Sequence, residues 1–233
     1  MNKIAQMNTV YKWNGDTAMT IFFDKQVSEE LISVIQSLAE SLRKTYAENI
    51  LEVIPAYQSL TICFDCLNTD LETIEQSLKQ FVNNYLKEEI EPYKSSLVEI
   101  PVCYDECYGS DLIDLAEQCN LSINEVIQLH TQQDYLVNML GFLPGFLYLS
   151  GLNEQLYCPR KSSPSIKIPA GAVGIGGNQT GVYPVDSPGG WHIIGRTPIS
   201  IFNPLADHPF IAQPLDKIRF VAIDTNEFER ISK

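Results

Sequence analysis

Basic residues are scarce: 16 Lys and Arg stand against 29 Asp and Glu in 233 residues, a formal net charge of −13. Phosphate backbones need a concentrated basic surface, so nucleic acid is excluded as a ligand, and an anionic membrane surface is disfavoured for the same reason. Long apolar runs are lacking too. No stretch approaches the ~20 residues that span a bilayer, and the opening MNKIAQMNTVYKWNGD has no apolar core of a secretory signal. A cytoplasmic protein without membrane contact is expected. Histidine is rare, and His130, His192 and His208 do not stand at metal-ligand spacing. Cysteine is modest, with six in the chain. Cys63 and Cys66 with Cys103 and Cys107 would suffice for a four-thiolate zinc site. However, Cys63 falls in the alternating run Ser59-Leu60-Thr61-Ile62-Cys63-Phe64 and no helix opens after Cys66, so reduced structural thiols are expected and no metal.

What the chain does have is concentrated. Residues 141–198 hold eleven of its thirteen glycines and seven of its thirteen prolines. Glycine permits positive φ and close backbone approach, while proline fixes φ and removes a donor, so a run this dense in both cannot be helical. It reads as short strands, such as Phe146-Leu147-Tyr148-Leu149 and Trp191-His192-Ile193-Ile194, joined by shaped turns. The charge balance inverts here. Arg160, Lys161, Lys167 and Arg196 face Glu154 and Asp186, a net +2, whereas the remainder carries 12 basic and 27 acidic residues, a net −15. A locally cationic, glycine-lined region in an acidic protein is the natural place for an anionic ligand.

Upstream, residues 1–92 have the pattern of a small α+β domain. Thr9-Val10-Tyr11-Lys12-Trp13 and Ala18-Met19-Thr20-Ile21-Phe22-Phe23 flank Asn14-Gly15-Asp16, a strong hairpin signal. Ser28 caps a helix whose Leu31, Val34, Ile35, Leu38 and Leu42 fall on one face. Strands at 50–54 and 58–64 follow. A second amphipathic helix uses Leu71, Ile74, Leu78, Phe81, Val82 and Tyr85, with Thr69 or Asp70 as cap. The order ββαββα predicts a small sheet with both helices on one face, and nothing in it resembles a site. A polar stretch ending in Pro92 marks the domain boundary.

Residues 93–233 open with a strand at 96–104 and two short helices at 110–119 and 123–131, the second with a capping box of Ser122 and Glu125. The pair has helix-turn-helix rhythm, but no Lys or Arg occurs in residues 110–146, so it is not a DNA reader. It is expected to pack across the end of a barrel. Further strands at 199–202 and 218–223 complete a closed or nearly closed β-barrel with this one helical insertion.

Several residues in this half could carry chemistry. Gly174-Ile175-Gly176-Gly177 is no nucleotide loop, since no helix opens after it and no Lys-Ser/Thr follows. Its glycines are read as turn or bulge positions whose N–H groups could face a ligand. Val185-Asp186-Ser187-Pro188-Gly189 lacks the first glycine of a nucleophile elbow, so Ser187 is not expected as a nucleophile. His192 alternates on a strand. His130 ends a helix, where the C-terminal dipole raises proton affinity, and is the better acid–base candidate. Arg160 after Pro159, and Arg196 between Gly195 and Thr197, sit on constrained backbone. They read either as a clamp for carboxylate or phosphate or as structural pairs, Arg196 with Asp186 for instance. The candidate catalytic set is therefore His130, Arg160 and Arg196. Candidate substrate contacts are Phe142, Pro144, Gly145, Phe146, Gly176, Gly177, Gln179, Tyr183, Ser187, Gly189, Gly190 and Trp191, with Tyr148 walling a pocket or filling the barrel.

GFLPGF (141–146), PAGAVGIGGNQTGVYP (169–184) and DSPGGWHIIGRTP (186–198) resemble the KipI / allophanate hydrolase subunit 1 family. The likeness extends from the Gly15-Asp16 hairpin through Val53-Ile54-Pro55-Ala56-Tyr57-Gln58-Ser59-Leu60 to Leu205, while Leu147 and Cys158 depart from the family pattern. The resemblance implies an α+β N-terminal domain followed by a cyclophilin-like β-barrel domain, in agreement with the two halves. It also implies the role of the B-type subunit of a 5-oxoprolinase, within a complex that uses ATP as co-substrate to open 5-oxo-L-proline to L-glutamate. The implied partners are the two other components of such a complex, a KipA-like 5-oxoprolinase subunit (the C-type) and a LamB/YcsF-like one (the A-type). Phosphorylating the lactam oxygen would create a leaving group before water attacks the carbon. Such a site needs cations for phosphate and carboxylate, and oriented N–H groups for oxyanions. Arg160, Arg196 and the amides of 174–177 would supply them. With no nucleotide loop and no evident base, half of a shared active site is expected. The alternative implied role is a KipI-like inhibitor that binds a sensor histidine kinase and blocks its autophosphorylation.

Overall fold

The computed structural model describes residues 7–88 and 95–233. The chain divides into two units, Met1–Lys94 and Ser95–Lys233; the boundary read at Pro92 lies outside the described residues. In the first unit, β1 (Thr9–Asn14) and β2 (Ala18–Phe23) pair antiparallel, with Gly15 at φ +66° in the turn between them. Helix α1 (Glu29–Thr45) starts where Ser28 Oγ accepts the Leu31 N–H at 3.2 Å. β3 (Ile50–Pro55) and β4 (Ser59–Phe64) form a second hairpin, and helix α2 (Leu71–Tyr85) starts at Asp70, whose carboxylate accepts the Glu72 N–H. The sheet order is β1-β2-β4-β3. Alternate strand residues (Met19, Ile21, Phe23, Leu60, Ile62, Phe64) meet the helical stripes (Leu31, Val34, Ile35, Leu38, Leu42, Ile74, Leu78, Val82) in one core. The two periods, 2.0 and 3.6, thus place both helices on one face of the sheet, each buried aliphatic side chain contributing about 2 kcal/mol.

The second unit contains β5 (Leu97–Cys103), α3 (Leu112–Cys119), α4 (Ile123–Thr131), β6 (Asp134–Leu140) and β7 (Leu147–Ser150). β8 (Ser165–Ile168), β9 (Ala172–Gly176), β10 (Gln179–Val182), β11 (Ser187–Gly189), β12 (His192–Arg196), β13 (Lys217–Ile223) and α5 (Thr225–Ile231) follow. Seven strands close a barrel in the order β10-β7-β6-β13-β5-β12-β9, antiparallel except for the parallel β13–β5 pair. Closure leaves those strands no open edge. β8 and β11 pair with each other outside it. The capping box of Ser122 and Glu125 is present; α3 packs on β12 and α4 on β13, burying Leu112, Leu115, Ala116 and Val126 in the barrel core.

One expected strand is absent. The alternation at 199–202 yields a single bridge, Phe202 with Phe210, because Pro204 and Pro209 remove the donors a ladder would need. All six cysteines are unpaired. Among the described residues no helix is long and apolar enough to cross a membrane.

Candidate functional site

Beside the main barrel core, Phe146, Ile168, Ala172, Tyr183, Trp191 and Ile193 form a second buried cluster, with Leu143 and Tyr148 against it. Phe146 lies 5.0 Å from Tyr183 and 5.4 Å from Trp191, at interplanar angles of 85° and 83°. Tyr148 stands 4.7 Å from Phe146 and 6.0 Å from Trp191. Edge-to-face contacts of this kind suit the ring quadrupoles. Phe142, 60% exposed, extends the cluster to solvent, edge-on to Phe146 and Tyr183. Its φ of +64° is costly for an aromatic residue. The tight loop 141–146 holds it there: Leu143 N–H donates to Gly141 O and Phe146 N–H to Leu143 O, at 2.7 and 3.0 Å. Gly145, at φ +82°, lets Phe202 approach, since an added Cβ would meet Phe202 Cβ at 2.8 Å. Pro144 is exposed in the same loop.

Arg160 lies over this cluster, its guanidinium carbon 5.8 Å from the Trp191 ring centroid. The backbone on either side of it is anchored. Cys158 bridges Gly177, the Pro159 carbonyl accepts from His192 Nε2 at 2.9 Å, and Lys161 N–H donates to Gly190 O at 2.8 Å. Lys161 Nζ reaches Asp111 Oδ1 at 2.6 Å and Ser165 Oγ at 3.3 Å, while Asp111 Oδ2 accepts the Ile193 N–H at 2.8 Å. Arg160 itself is exposed and pairs with no carboxylate among the described residues. Burial pushes the Tyr148 hydroxyl up and the Tyr183 hydroxyl to about 12, with the Arg160 charge opposing both shifts. Both phenols therefore keep their protons at neutral pH and remain donors. Sequence reasoning missed Asp111 and Lys161 as the supports of Arg160; their 50-residue separation carried no local signal.

The glycines play a different part from the one expected. Trp191 is 4% exposed because Gly174, Gly176 and Gly181 leave room for it. A Cβ on Gly176 would sit 2.5 Å from Trp191 Cδ1, and one on Gly181 would sit 3.0 Å from Trp191 Cζ3. β9 is paired on both sides, with β10 and β12, and Gly177 N–H, at φ +67° in the turn, donates to Cys158 O at 2.7 Å. The amides of 174–177 therefore serve the ladder and the turn rather than a ligand, a correction to the oxyanion role assigned to them. Gly189 makes room for the Tyr183 hydroxyl, Gly190 anchors Lys161, and Gln179 opens β10 opposite Gly176. Ser187 Oγ is buried without a hydrogen-bond partner, an unmet donor on β11.

His130 is corrected as an acid–base candidate. It is fully buried at the barrel centre, with Nδ1 2.8 Å from Tyr104 Oη and Nε2 2.8 Å from Thr180 Oγ1, and stacks on Phe220 at 4.6 Å. Thr180 Oγ1 donates to Gly174 O at 3.0 Å, so it accepts from Nε2–H, and Tyr104 donates to Nδ1. Burial drives the imidazole pKa down to about 3. The helix dipole is worth at most about 2 kcal/mol, whereas full burial shifts a pKa by up to about 3–5 units, so desolvation wins.

Arg196 does not join Arg160. It stands at the far end of β12, five residues after Trp191. Its Nε donates to Ala170 O at 2.8 Å, and it lines a cavity of about 500 Å³ with Pro184, Thr197, Ile199 and Phe228, from which Arg160 and Trp191 are absent. The two-arginine clamp is thus not formed. Nor is the Arg196–Asp186 ion pair, because Asp186 contacts Lys167 at 3.2 Å and the Ala170 N–H at 2.8 Å.

The arrangement presents an exposed guanidinium, braced on both sides, over a buried aromatic cluster. The family model "Carboxyltransferase domain, subdomain C and D" matches residues 9–212. The chain is 40% identical over 222 residues to the B-type subunit of 5-oxoprolinase from Bacillus subtilis, covering 92% of each chain. To the protein of the same name from Escherichia coli O157:H7 it is 40% identical over 208 residues, covering 89% of this chain and 93% of that one. The solved structure of TTHA0988 superposes with a TM-score of 0.75 at 34% identity; it covers 89% of this chain, which spans 40% of TTHA0988. With the family model matched over most of its length and full-length relatives at this identity, the chain belongs to the carboxyltransferase domain, subdomain C and D, family, in the KipI-like group that its glycine-rich motifs resemble.

Proposed function

We propose that this chain is the B-type subunit of a cytoplasmic, ATP-dependent 5-oxoprolinase complex and forms part of its 5-oxo-L-proline site. Nearly end-to-end similarity to proteins of that name carries the reading. The cluster around Arg160 is where its chemistry fits. 5-Oxo-L-proline is a flat five-membered lactam bearing one carboxylate. The Arg160 fork takes the carboxylate through two parallel hydrogen bonds, and the lactam ring packs against the exposed ring of Phe142. The KipA-like and LamB/YcsF-like partners close the open side, where Phe142 is presented. This chain's glycine run does not fit the ATP phosphates, because Gly177 N–H is engaged by Cys158 O and no helix opens after it. ATP is therefore assigned to one of those partners.

Steady-state kinetics of the reconstituted three-component enzyme test the reading. Arg160→Ala is expected to raise KM for 5-oxo-L-proline about tenfold or more while KM for ATP stays unchanged, the pattern of lost substrate binding. An unaltered KM for 5-oxo-L-proline removes Arg160 from the site. A complex with the native chain that fails to hydrolyse 5-oxo-L-proline removes the function.

A further inference from the structure

The chain has 16 basic residues, and the described ones that form no ion pair are exposed, with Arg196 the exception. It is half-buried, and among the described residues no carboxylate lies within ion-pair distance of it. Asp186, whose carboxylate feels its charge, is bound to Lys167 and the Ala170 N–H instead. The Nε–H bond to Ala170 O fixes the guanidinium plane and leaves the fork of terminal nitrogens without a partner. Arg196 lines a cavity of about 500 Å³, within the range that accommodates small molecules.

We propose that this cavity is a second binding site, separate from the aromatic cluster, for a carboxylate carried on a small branched apolar body. The cavity's walls select that chemistry. Pro184, Pro198, Ile199, Ile201 and Phe228 supply apolar surface. Ser200 and Ser232 spend their hydroxyl protons on Phe202 O and Phe228 O, while Thr197 Oγ1 accepts the Ile199 N–H and keeps its own proton as a neutral donor. Arg196 is the one charged residue in the lining, which matches a monoanion; a phosphate dianion would lack a second cation. The site is also preformed. Gly171, at φ +81°, lets Thr197 lie so close that an added Cβ would meet Thr197 O at 2.4 Å, and Thr197 N–H donates to Gly171 O at 2.9 Å. Two prolines in the wall restrict it further. The carboxylate can come from a free small acid or from the C-terminus of another polypeptide ending in an aliphatic residue.

Calorimetric titration of the full chain tests this with three probes: 3-methylbutanoate, a short peptide ending in leucine as the free acid, and the same peptide as its amide. Saturable binding of at least one acid is expected, with none of the amide. Arg196→Gln should weaken it about tenfold or more. Ser200→Trp, which fills the cavity from an exposed wall position without disturbing the core, should abolish it, and Arg160→Ala should leave it unchanged. Tighter binding of the peptide acid identifies a chain terminus as the source; binding of 3-methylbutanoate alone identifies a free acid. No saturable binding of either acid, or binding that survives both Arg196→Gln and Ser200→Trp, overturns the proposal. Should Arg196→Gln fail to fold, the Ser200→Trp result decides.

Discussion

His130 is ringed by aromatic side chains at the centre of the barrel, and Arg160 lies on the face of one aromatic side chain, Trp191. Around His130 every polar atom is answered within the chain: Tyr104 donates to it, it donates to Thr180, and Thr180 donates to Gly174. Around Arg160 the supports are answered, through Lys161, Asp111 and His192, while the guanidinium meets the Trp191 ring but no carboxylate among the described residues. A closed network specifies a core, because opening it strands buried polar groups. A rigidly backed cation left without a partner is prepared for something outside the chain. The difference lies in unmet bonding capacity, not in residue type.

The largest effect is expected at His130. His130→Ala leaves the buried Tyr104 hydroxyl without a partner and opens a cavity against Phe220, a loss of about 3–5 kcal/mol. Urea unfolding followed by Trp191 fluorescence in a Trp13→Phe background measures it. The same residue predicts a pH dependence. Its pKa falls from 6.5 to about 3 on folding, through burial. Between those values the unfolded chain binds a proton that the folded one refuses, so stability is full above pH 6.5 and is lost as pH falls toward 3. The span is on the order of 4 kcal/mol. Replacing the imidazole with the amide of His130→Asn should flatten the decline between pH 7 and 4. An unchanged slope would mean that the proton enters elsewhere.

An intermediate effect is expected where the two regions share a wall. In Gly181→Ala the new methyl meets Leu147 O at 2.5 Å and the rings of Trp191 and Phe146 at 3.0 and 3.1 Å. Since a backbone atom cannot rotate away, β7 and β10 must part, at about 1–3 kcal/mol with a red shift of Trp191 emission. Gly190→Ala is the contrast, its nearest neighbour 3.8 Å away, and should change neither reading. Equal behaviour of the two would show that the glycines do not shape the Trp191 seat.

Much of the fold was legible because local chemistry and period agreed. Asn14-Gly15, Ser28, Asp70 and the Ser122–Glu125 box each mark an element that forms where expected. β6 carries no boundary signal, because Asp134 follows α4 with no turn residue to separate them, and α5, started by Asp224 accepting the Glu227 N–H at 2.8 Å, spans only seven residues, too few for a clear helical period. The site was legible only as a neighbourhood. Phe142, Phe146, Tyr183, Trp191 and Arg160 do come together. What the glycines make room for depends on Trp191, an element away in sequence. Whether an arginine meets a carboxylate depends on partners up to 50 residues distant, as Lys161 and Asp111 show.

The smallest effect on stability is expected at Arg160, and it is the most informative. The side chain is exposed and lies on the face of Trp191, a contact worth about 0.5–1 kcal/mol at such a position. Arg160→Gln should therefore unfold at nearly the urea midpoint of the native chain, under the same Trp191 fluorescence readout, with its emission altered only slightly. A residue whose loss is felt by a ligand and not by the fold is what an unmet guanidinium on a braced loop implies. A destabilisation as large as that of His130→Ala would show instead that Arg160 belongs to the structure as His130 does, and the contrast between closed core and open cluster would collapse.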